Sequence, residues 1–178
     1  AEGPPEFEDD RRGNAVVGRE RYRIDQIWQS DPEDPELLRF DIYPTLVSAE
    51  LEKPDVRRRE MPLAIQYPKQ LEERFVFDLS EPGEFPAEEV EVEDPAFRFT
   101  YQVLPEGRRV TVRYVYESRT DHVLPERFQE YLRNLEEARR SLGYGVEIPR
   151  VIAAPGGLVE ESGISPAGSQ LLAGLPVL

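Results

Sequence analysis

The chain of 178 residues contains no cysteine, and this absence removes several kinds of chemistry at once. Without a thiol there can be no disulfide, no cysteine nucleophile and no metal site held by thiolates. The single histidine, His122, makes any imidazole-based metal site dependent on carboxylates for its other ligands. A cysteine-free chain suits oxidising and reducing surroundings alike, so the compartment stays open.

Lysine and long apolar runs are also scarce. Lys53 and Lys69 are the two lysines, and arginine supplies the remaining basic side chains against 36 acidic ones, for a net charge of −14. A field of this sign repels nucleic acid and anionic lipid, so we expect neither as a partner. No stretch approaches the ~18 apolar residues of a membrane span, and we expect no membrane insertion by this segment.

The residues that are present favour one folded domain between two peripheral segments. Eight phenylalanines and eight tyrosines argue against disorder, and the length permits one sizeable core. Residues 1–13 are acidic and rich in turn formers, which predicts a flexible lead-in, and residues 14–149 form the expected domain. Residues 150–178 are rich in Gly, Pro and Ala, which is typical of a linker-like tail.

Short segments before residue 95 alternate apolar and polar side chains, which predicts half-buried strands. Their inward positions are Tyr22, Ile24 and Trp28; Leu38, Phe40 and Ile42; Met61, Leu63, Ile65 and Tyr67; Phe75, Phe77 and Leu79; and Val90 and Val92. Pro44 ends the second of these segments, and we expect Thr45–Leu51 to continue as extended chain.

The next stretch predicts a hairpin with aromatic side chains along one face. The positions on that face are Phe97, Phe99, Tyr101 and Val103 on the first strand and Val110, Val112, Tyr114 and Tyr116 on the second. The segment 105–108 between them carries Pro and Gly, which are turn formers. We predict a four-residue loop pairing Val103 with Val110, because a three-residue loop would place Phe99 against Arg113.

An amphipathic helix over residues 125–142 follows the hairpin. Its apolar stripe recurs at three- and four-residue steps and consists of Phe128, Tyr131, Leu132, Leu135, Ala138 and Leu142. We expect the helix to lie against an end or open edge of the sheets, where it also hides backbone groups that invite strand addition, and the stripe needs a surface such as the aromatic face to cover. Seven or eight short strands and one late helix predict a mainly β fold: an antiparallel β-sandwich, Ig-like or related, with one C-terminal amphipathic α-helix.

Three residue groups allow a catalytic or metal-binding interpretation, and the spacing favours none of them. Ser118, Asp121 and His122 lie close in sequence, but a triad usually gathers its members from separate loops. The acidic residues of 31–36 are interrupted by two prolines and do not follow a calcium-loop pattern. The acidic run of 81–94 could place two carboxylates ~5–10 Å apart, as glycoside hydrolysis requires. We therefore predict no catalytic residue, no metal site and no cofactor.

The consecutive arginines Arg57, Arg58 and Arg59 form the candidate partner-binding group. Guanidinium groups pair well with carboxylates, so the triplet could bind an acidic partner. The competing interpretation is that these side chains pair with local glutamates. A further alternative is that the hairpin rings form an exposed platform for a sugar or a peptide.

Several segments together resemble one known family. The segment Arg59–Pro68, the hairpin Phe97–Tyr116, its exit Glu117–Pro125 and the helix with Tyr131, Leu135, Arg139 and Leu142 to Tyr144 are similar to the C-terminal β domain of bacterial transglutaminase-like proteins. The resemblance covers roughly residues 15–149. In those larger proteins this domain of unknown function follows a transglutaminase-like, cysteine protease-like core.

The resemblance implies a non-catalytic accessory domain. The Cys–His–Asp arrangement of the family's core cannot be placed on a chain without cysteine. The implied partner is the transglutaminase-like core or another protein, bound through a sheet edge or through Arg57–Arg59. Many such proteins look exported, which implies a periplasmic or cell envelope location. The alternatives are a carbohydrate-binding module with exposed aromatic side chains and a free-standing hydrolase that uses His122.

Overall fold

The computed structural model describes residues 3–23, 29–30, 32–78 and 85–149. The predictions made for Ile24, Trp28, Leu79 and the tail 150–178 lie outside these residues. The described chain is mainly β, with antiparallel sheets and a C-terminal helix, as the sequence predicts.

The strands and helices follow one another in this order: β1 Glu6–Asp10, β2 Ala15–Arg19, β3 Gln29–Ser30, β4 Leu37–Ile42, α1 Thr45–Glu50, β5 Leu63–Ala64, β6 Gln70–Asp78, β7 Glu88–Glu93, β8 Phe97–Glu106, β9 Arg109–Ser118, β10 His122–Val123, a 3₁₀ turn Pro125–Arg127, α2 Phe128–Arg140 and β11 Tyr144–Pro149. The largest sheet has four antiparallel strands in the order β6-β9-β8-β7. This sheet carries the core.

The hairpin β8–β9 has the predicted faces but not the predicted register. Tyr101 lies opposite Tyr114 and Val103 opposite Val112, so the loop has two residues rather than four. Gly107 occupies the first loop position with φ +63°. A tight hairpin turn of type II′ prefers glycine at this position. The prediction was wrong by two residues, and a shift of two leaves every side chain on its original face.

The predicted interior of the molecule is confirmed. The aromatic face of β8–β9 is buried, and α2 covers it with Phe128, Tyr131, Leu135 and Ala138. The ring of Tyr131 meets the ring of Phe97 edge-on, with 5.8 Å between their centroids. An edge-on contact of this kind adds to the free energy gained by burying the two rings. The stripe of the helix and the face of the hairpin therefore form one core.

A second sheet lies against the same core. It has three antiparallel strands in the order β11-β4-β3, and Phe40 of β4 contacts Phe77 of β6 with 5.4 Å between ring centroids. Burial of Phe40 confirms the predicted inward face of β4. The arrangement is compatible with the expected sandwich, and what the structure establishes is the coarser description of antiparallel sheets with a C-terminal helix.

Two short pairings lie beside these sheets. β1 and β2 form a hairpin, so the domain boundary expected at residue 13 falls between two paired strands. No side chain of this hairpin belongs to the core. Among the described strands, β5 pairs with β10 alone, over two residues. The inward positions predicted at Tyr22, Met61 and Tyr67 are wrong, since 60%, 74% and 53% of these residues are exposed. Tyr22 lies beyond the end of β2, and the partner strand of β5 is too short to extend the pairing to Met61 and Tyr67.

Helix α1 replaces the extended chain predicted after Pro44. Val47 and Leu51, four residues apart, are both fully buried, and this spacing puts two residues on one face of a helix or of a strand. Pro44 provides no side-chain cap. Instead Glu73 of β6 accepts hydrogen bonds from the backbone N–H groups of Leu46 and Val47, with Oε2 at 3.0 and 3.2 Å. The cap comes from a distant strand, so the local sequence does not reveal it.

Replacing Glu73 with alanine is expected to destabilise the protein by about 1 kcal/mol, because two N–H groups of α1 lose their acceptor. Thermal and urea unfolding would measure the change. The matched control is Glu73→Gln, which keeps a side-chain oxygen at the same reach and should retain part of the stability. If both variants unfold like the parent protein, the contact to α1 contributes nothing.

Candidate functional site

The aromatic face of the hairpin is not an open platform. Each of its five rings, Phe97, Phe99, Tyr101, Tyr114 and Tyr116, is buried with at most 4% exposure. Burial raises the pKa of the Tyr116 hydroxyl to about 12 and raises that of Tyr114 further. These rings are therefore part of the interior, and a sugar or peptide cannot stack on them without unfolding the sheet.

In the structure Asp121 and His122 contact each other, and Ser118 forms a different set of contacts. The Ser118 hydroxyl is buried, accepts the backbone N–H of Lys69 at 2.8 Å and donates to the Lys69 carbonyl at 3.2 Å. Nδ1 of His122 lies 2.6 Å from Oδ1 of Asp121, and this contact lowers the pKa of the Asp121 carboxyl. In the described part of the chain no hydrogen bond joins Ser118 to His122. Ser118 ties the end of β9 to the segment before β6.

Most of the described carboxylates in the two acidic segments lie at the surface, and Asp94 is the buried exception. In residues 31–36, Asp31 lies outside the described residues, and in the run 81–94 Glu81 and Glu84 do. Among the residues that the structure describes, no three side chains converge as metal ligands. The glutamates of β7 pair across the sheet: Glu89 accepts from Gln102 and Glu91 from Arg98, each at 2.8 Å. Hydrogen bonding to Arg98 lowers the pKa of Glu91.

Arg57, Arg58 and Arg59 lie in the connection between α1 and β5, beside the first turns of α2. A hollow of about 450 Å³ is lined by the three arginines together with Pro125, Glu126, Phe128 and Gln129. A second hollow of about 380 Å³ is lined by Lys53, Pro54, Asp55, Arg57, Gln129 and Leu132. The two hollows share Arg57 and Gln129, so they adjoin along the helix. We call them together the α2 groove.

One polar face of α2 fastens the loop that forms the groove. Nε2 of Gln129 donates to the carbonyl of Arg57, Glu136 pairs with Lys53, and Nη1 of Arg139 donates to the carbonyl of Leu51 at 3.1 Å. The three helix residues are spaced by seven and three positions and therefore share a face. The sequence reasoning did not identify them as part of the site. Their heptad-like spacing is the signal that could have indicated a contact.

The guanidinium groups of the triplet have no acidic partner among the described residues. Other arginines are paired: Arg109 binds Asp78 and Arg113 binds Glu72, each at 2.8 Å, and these contacts lower the pKa of both carboxyls. By contrast, within the described ranges the side chains of the triplet form one hydrogen bond, a long one of 3.4 Å from Nε of Arg59 to the Met61 carbonyl. Arg57 and Arg58 are exposed. Pairing of the triplet with local glutamates is therefore not observed.

Comparison with protein-family models, with curated proteins and with solved structures finds no significant match. None of the helices in the described ranges is both long and apolar enough to cross a membrane.

Proposed function

We propose that this chain is a non-catalytic accessory domain of a larger bacterial transglutaminase-like protein. In this role it packs on or positions the catalytic core or another protein partner, in the periplasm or cell envelope. Support for the family comes from the sequence resemblance over residues 15–149. This resemblance includes the segment that begins at Arg59. Support for the role comes from the α2 groove.

The observation that carries the proposal is a set of three cationic side chains that have no carboxylate partner among the described residues, on a loop that contacts α2 at three points. In a chain with net charge −14 and many arginine–carboxylate pairs, a triplet without a partner in the described part of the chain is a surface with unused binding capacity. Arginine is well suited to protein interfaces because its planar fork pairs with carboxylates and is weakly hydrated. The core of the domain contributes the fixed base on which this surface is presented.

The direct test is a pull-down between this domain and the separately expressed transglutaminase-like core encoded in the same polypeptide. The coding sequence upstream of Ala1 identifies that core if it contains a Cys- and His-bearing domain. We expect the parent domain to retain the core and Arg57→Glu/Arg59→Glu to retain at least about tenfold less, because two attractive pairs become repulsive.

The matched control is Arg12→Glu/Arg140→Glu, which changes the net charge by the same amount. Both of these arginines are exposed and lie outside the α2 groove. Retention of the core by this control at the parent level would show that position, not total charge, decides binding. A core that fails to associate with the parent domain would reject the accessory role.

A further inference from the structure

The charges lining the α2 groove favour an anionic ligand. Lys53 is already paired with Glu136, and the acidic side chains in the lining are Asp55 and Glu126. Against these two stand the three guanidinium groups of Arg57–Arg59. The groove is thus a local cationic surface on a strongly acidic molecule, and a ligand bearing carboxylates would replace water around guanidinium groups that no described carboxylate neutralises.

The lining of the groove is not uniformly polar. Leu132 and Pro54 are half-buried in the second hollow, and Pro125 is half-buried above the buried ring of Phe128 in the first. A cationic end beside an apolar wall suits a ligand with a negative charge and a neighbouring apolar group. Both hollows are open to solvent rather than enclosed, which suits a segment lying along the surface more than a small molecule held inside.

The groove is held in place before any ligand arrives. Gln129, Glu136 and Arg139 of α2 contact the loop at three points. Because the loop backbone already contacts α2, binding has to order the arginine side chains but not the loop that carries them. Short segments can therefore bind here without the large interface that two folded domains would form.

We infer that the α2 groove binds an extended acidic peptide segment. Its carboxylates pair with Arg57 and Arg58, and an adjacent apolar side chain lies against Leu132 and Pro54. This inference rests on the proposed function as an interaction domain, and it names the chemistry of the partner segment. A nucleic acid is the less suitable anion, because a polyanion meets the field of a chain with net charge −14 beyond the edges of the groove.

The test uses fluorescence anisotropy with short labelled peptides and the intact chain. One peptide alternates glutamate and leucine, a second replaces each glutamate with glutamine, and a labelled oligothymidylate of similar length represents nucleic acid. We expect the glutamate peptide to bind at least about tenfold more tightly than the glutamine peptide and than the oligonucleotide. Added salt should weaken this binding, because surface charge pairs are screened.

The variant Arg57→Glu/Arg58→Glu should weaken binding of the glutamate peptide at least about tenfold, whereas Arg12→Glu/Arg140→Glu should leave it within about twofold. Arg58→Gln, which removes one charge without reversal, should fall between. Equal binding of the two peptides, tighter binding of the oligonucleotide, or a reversal variant that binds like the parent would each overturn the inference.

The peptide test and the pull-down can give opposite results, which distinguishes failure of the ligand inference from failure of the accessory role. Peptide binding without retention of the transglutaminase-like core would reject the accessory role and leave the groove's ligand chemistry standing. Retention of the core without selective binding of the glutamate peptide would overturn the ligand chemistry and leave the accessory role standing.

Discussion

Replacing Tyr114 with alanine is expected to lower the free energy of unfolding by about 3–5 kcal/mol, as aromatic truncation in a core does. Tyr114 is fully buried at the centre of β9. Its ring lies 5.2 Å from that of Tyr101 and meets the ring of Phe75 edge-on at 6.2 Å, measured between centroids. Removing the ring leaves a cavity among the buried side chains around it, and urea unfolding measures the loss.

The matched control is Tyr114→Phe, which keeps the ring and removes only the hydroxyl. That hydroxyl is buried and forms no hydrogen bond, so its removal should leave stability unchanged or raise it by up to about 1 kcal/mol. Two results would contradict this account of the core. One is an alanine variant that melts with the parent protein, and the other is a phenylalanine variant as unstable as the alanine variant.

Replacing Asp94 with alanine is expected to cost about 2–4 kcal/mol, because a nearly buried carboxylate holds two donors. Asp94 lies in the turn between β7 and β8 and is 4% exposed. Its Oδ1 accepts the backbone N–H of Ala96, and its Oδ2 accepts Nδ2 of Asn134 on α2, both at 2.8 Å. The residue therefore fixes the turn and attaches the helix to the sheet at once.

A double-mutant cycle separates these two roles. Asn134→Ala alone removes the helix contact, and Asp94→Asn keeps an oxygen for the Ala96 N–H, so each should cost less than Asp94→Ala. In the cycle of Asp94→Ala with Asn134→Ala, we expect a coupling free energy of at least about 0.5 kcal/mol. Strict additivity in chemical denaturation would mean that the bond between turn and helix contributes nothing to stability.

The hairpin β8–β9 shows that local sequence pattern predicts the faces of strands but not their register. Alternation of apolar and polar residues identified both faces of β8 and β9 correctly, because side chains in a strand alternate with a period of two. Because of this period, two registers that differ by two residues place the same side chains on the same faces, so the alternation cannot distinguish them. The choice between them depended on the backbone of Gly107, whose φ of +63° closes a two-residue loop. The register was therefore decided by turn geometry and cross-strand packing.

Helix α1 and β5 show where local pattern is insufficient. Val47 and Leu51 suit either a helix or a strand over so short a segment. The N-terminus of α1 is capped by Glu73, which is 26 residues away from Val47 in sequence. Similarly, Met61 continues the alternation of β5 but lies outside its pairing, because β10 supplies only two partner residues. In both places the deciding group belongs to another part of the chain.

For the candidate site, too, one part was visible in the sequence and another only in the structure. The triplet Arg57–Arg59 is visible in the sequence as a concentration of charge, and arginine chemistry indicates acidic partners. The sequence does not show whether nearby glutamates already neutralise it. The structure places the β7 glutamates with Arg98, Arg119 and Gln102 instead, and it brings the triplet beside α2.

By itself the sequence determined which residues are apolar, at what period they recur and which chemistries a cysteine-free, acidic chain lacks. Those properties specify the faces of the strands, the stripe of α2 and the mainly β class, because burial of apolar surface drives folding wherever it is placed. Only the tertiary structure decided the register of β8–β9, the cap of α1 and the absence of an acidic partner for Arg57–Arg59 among the described residues. These depend on distances between residues far apart in the chain, which a linear pattern does not contain.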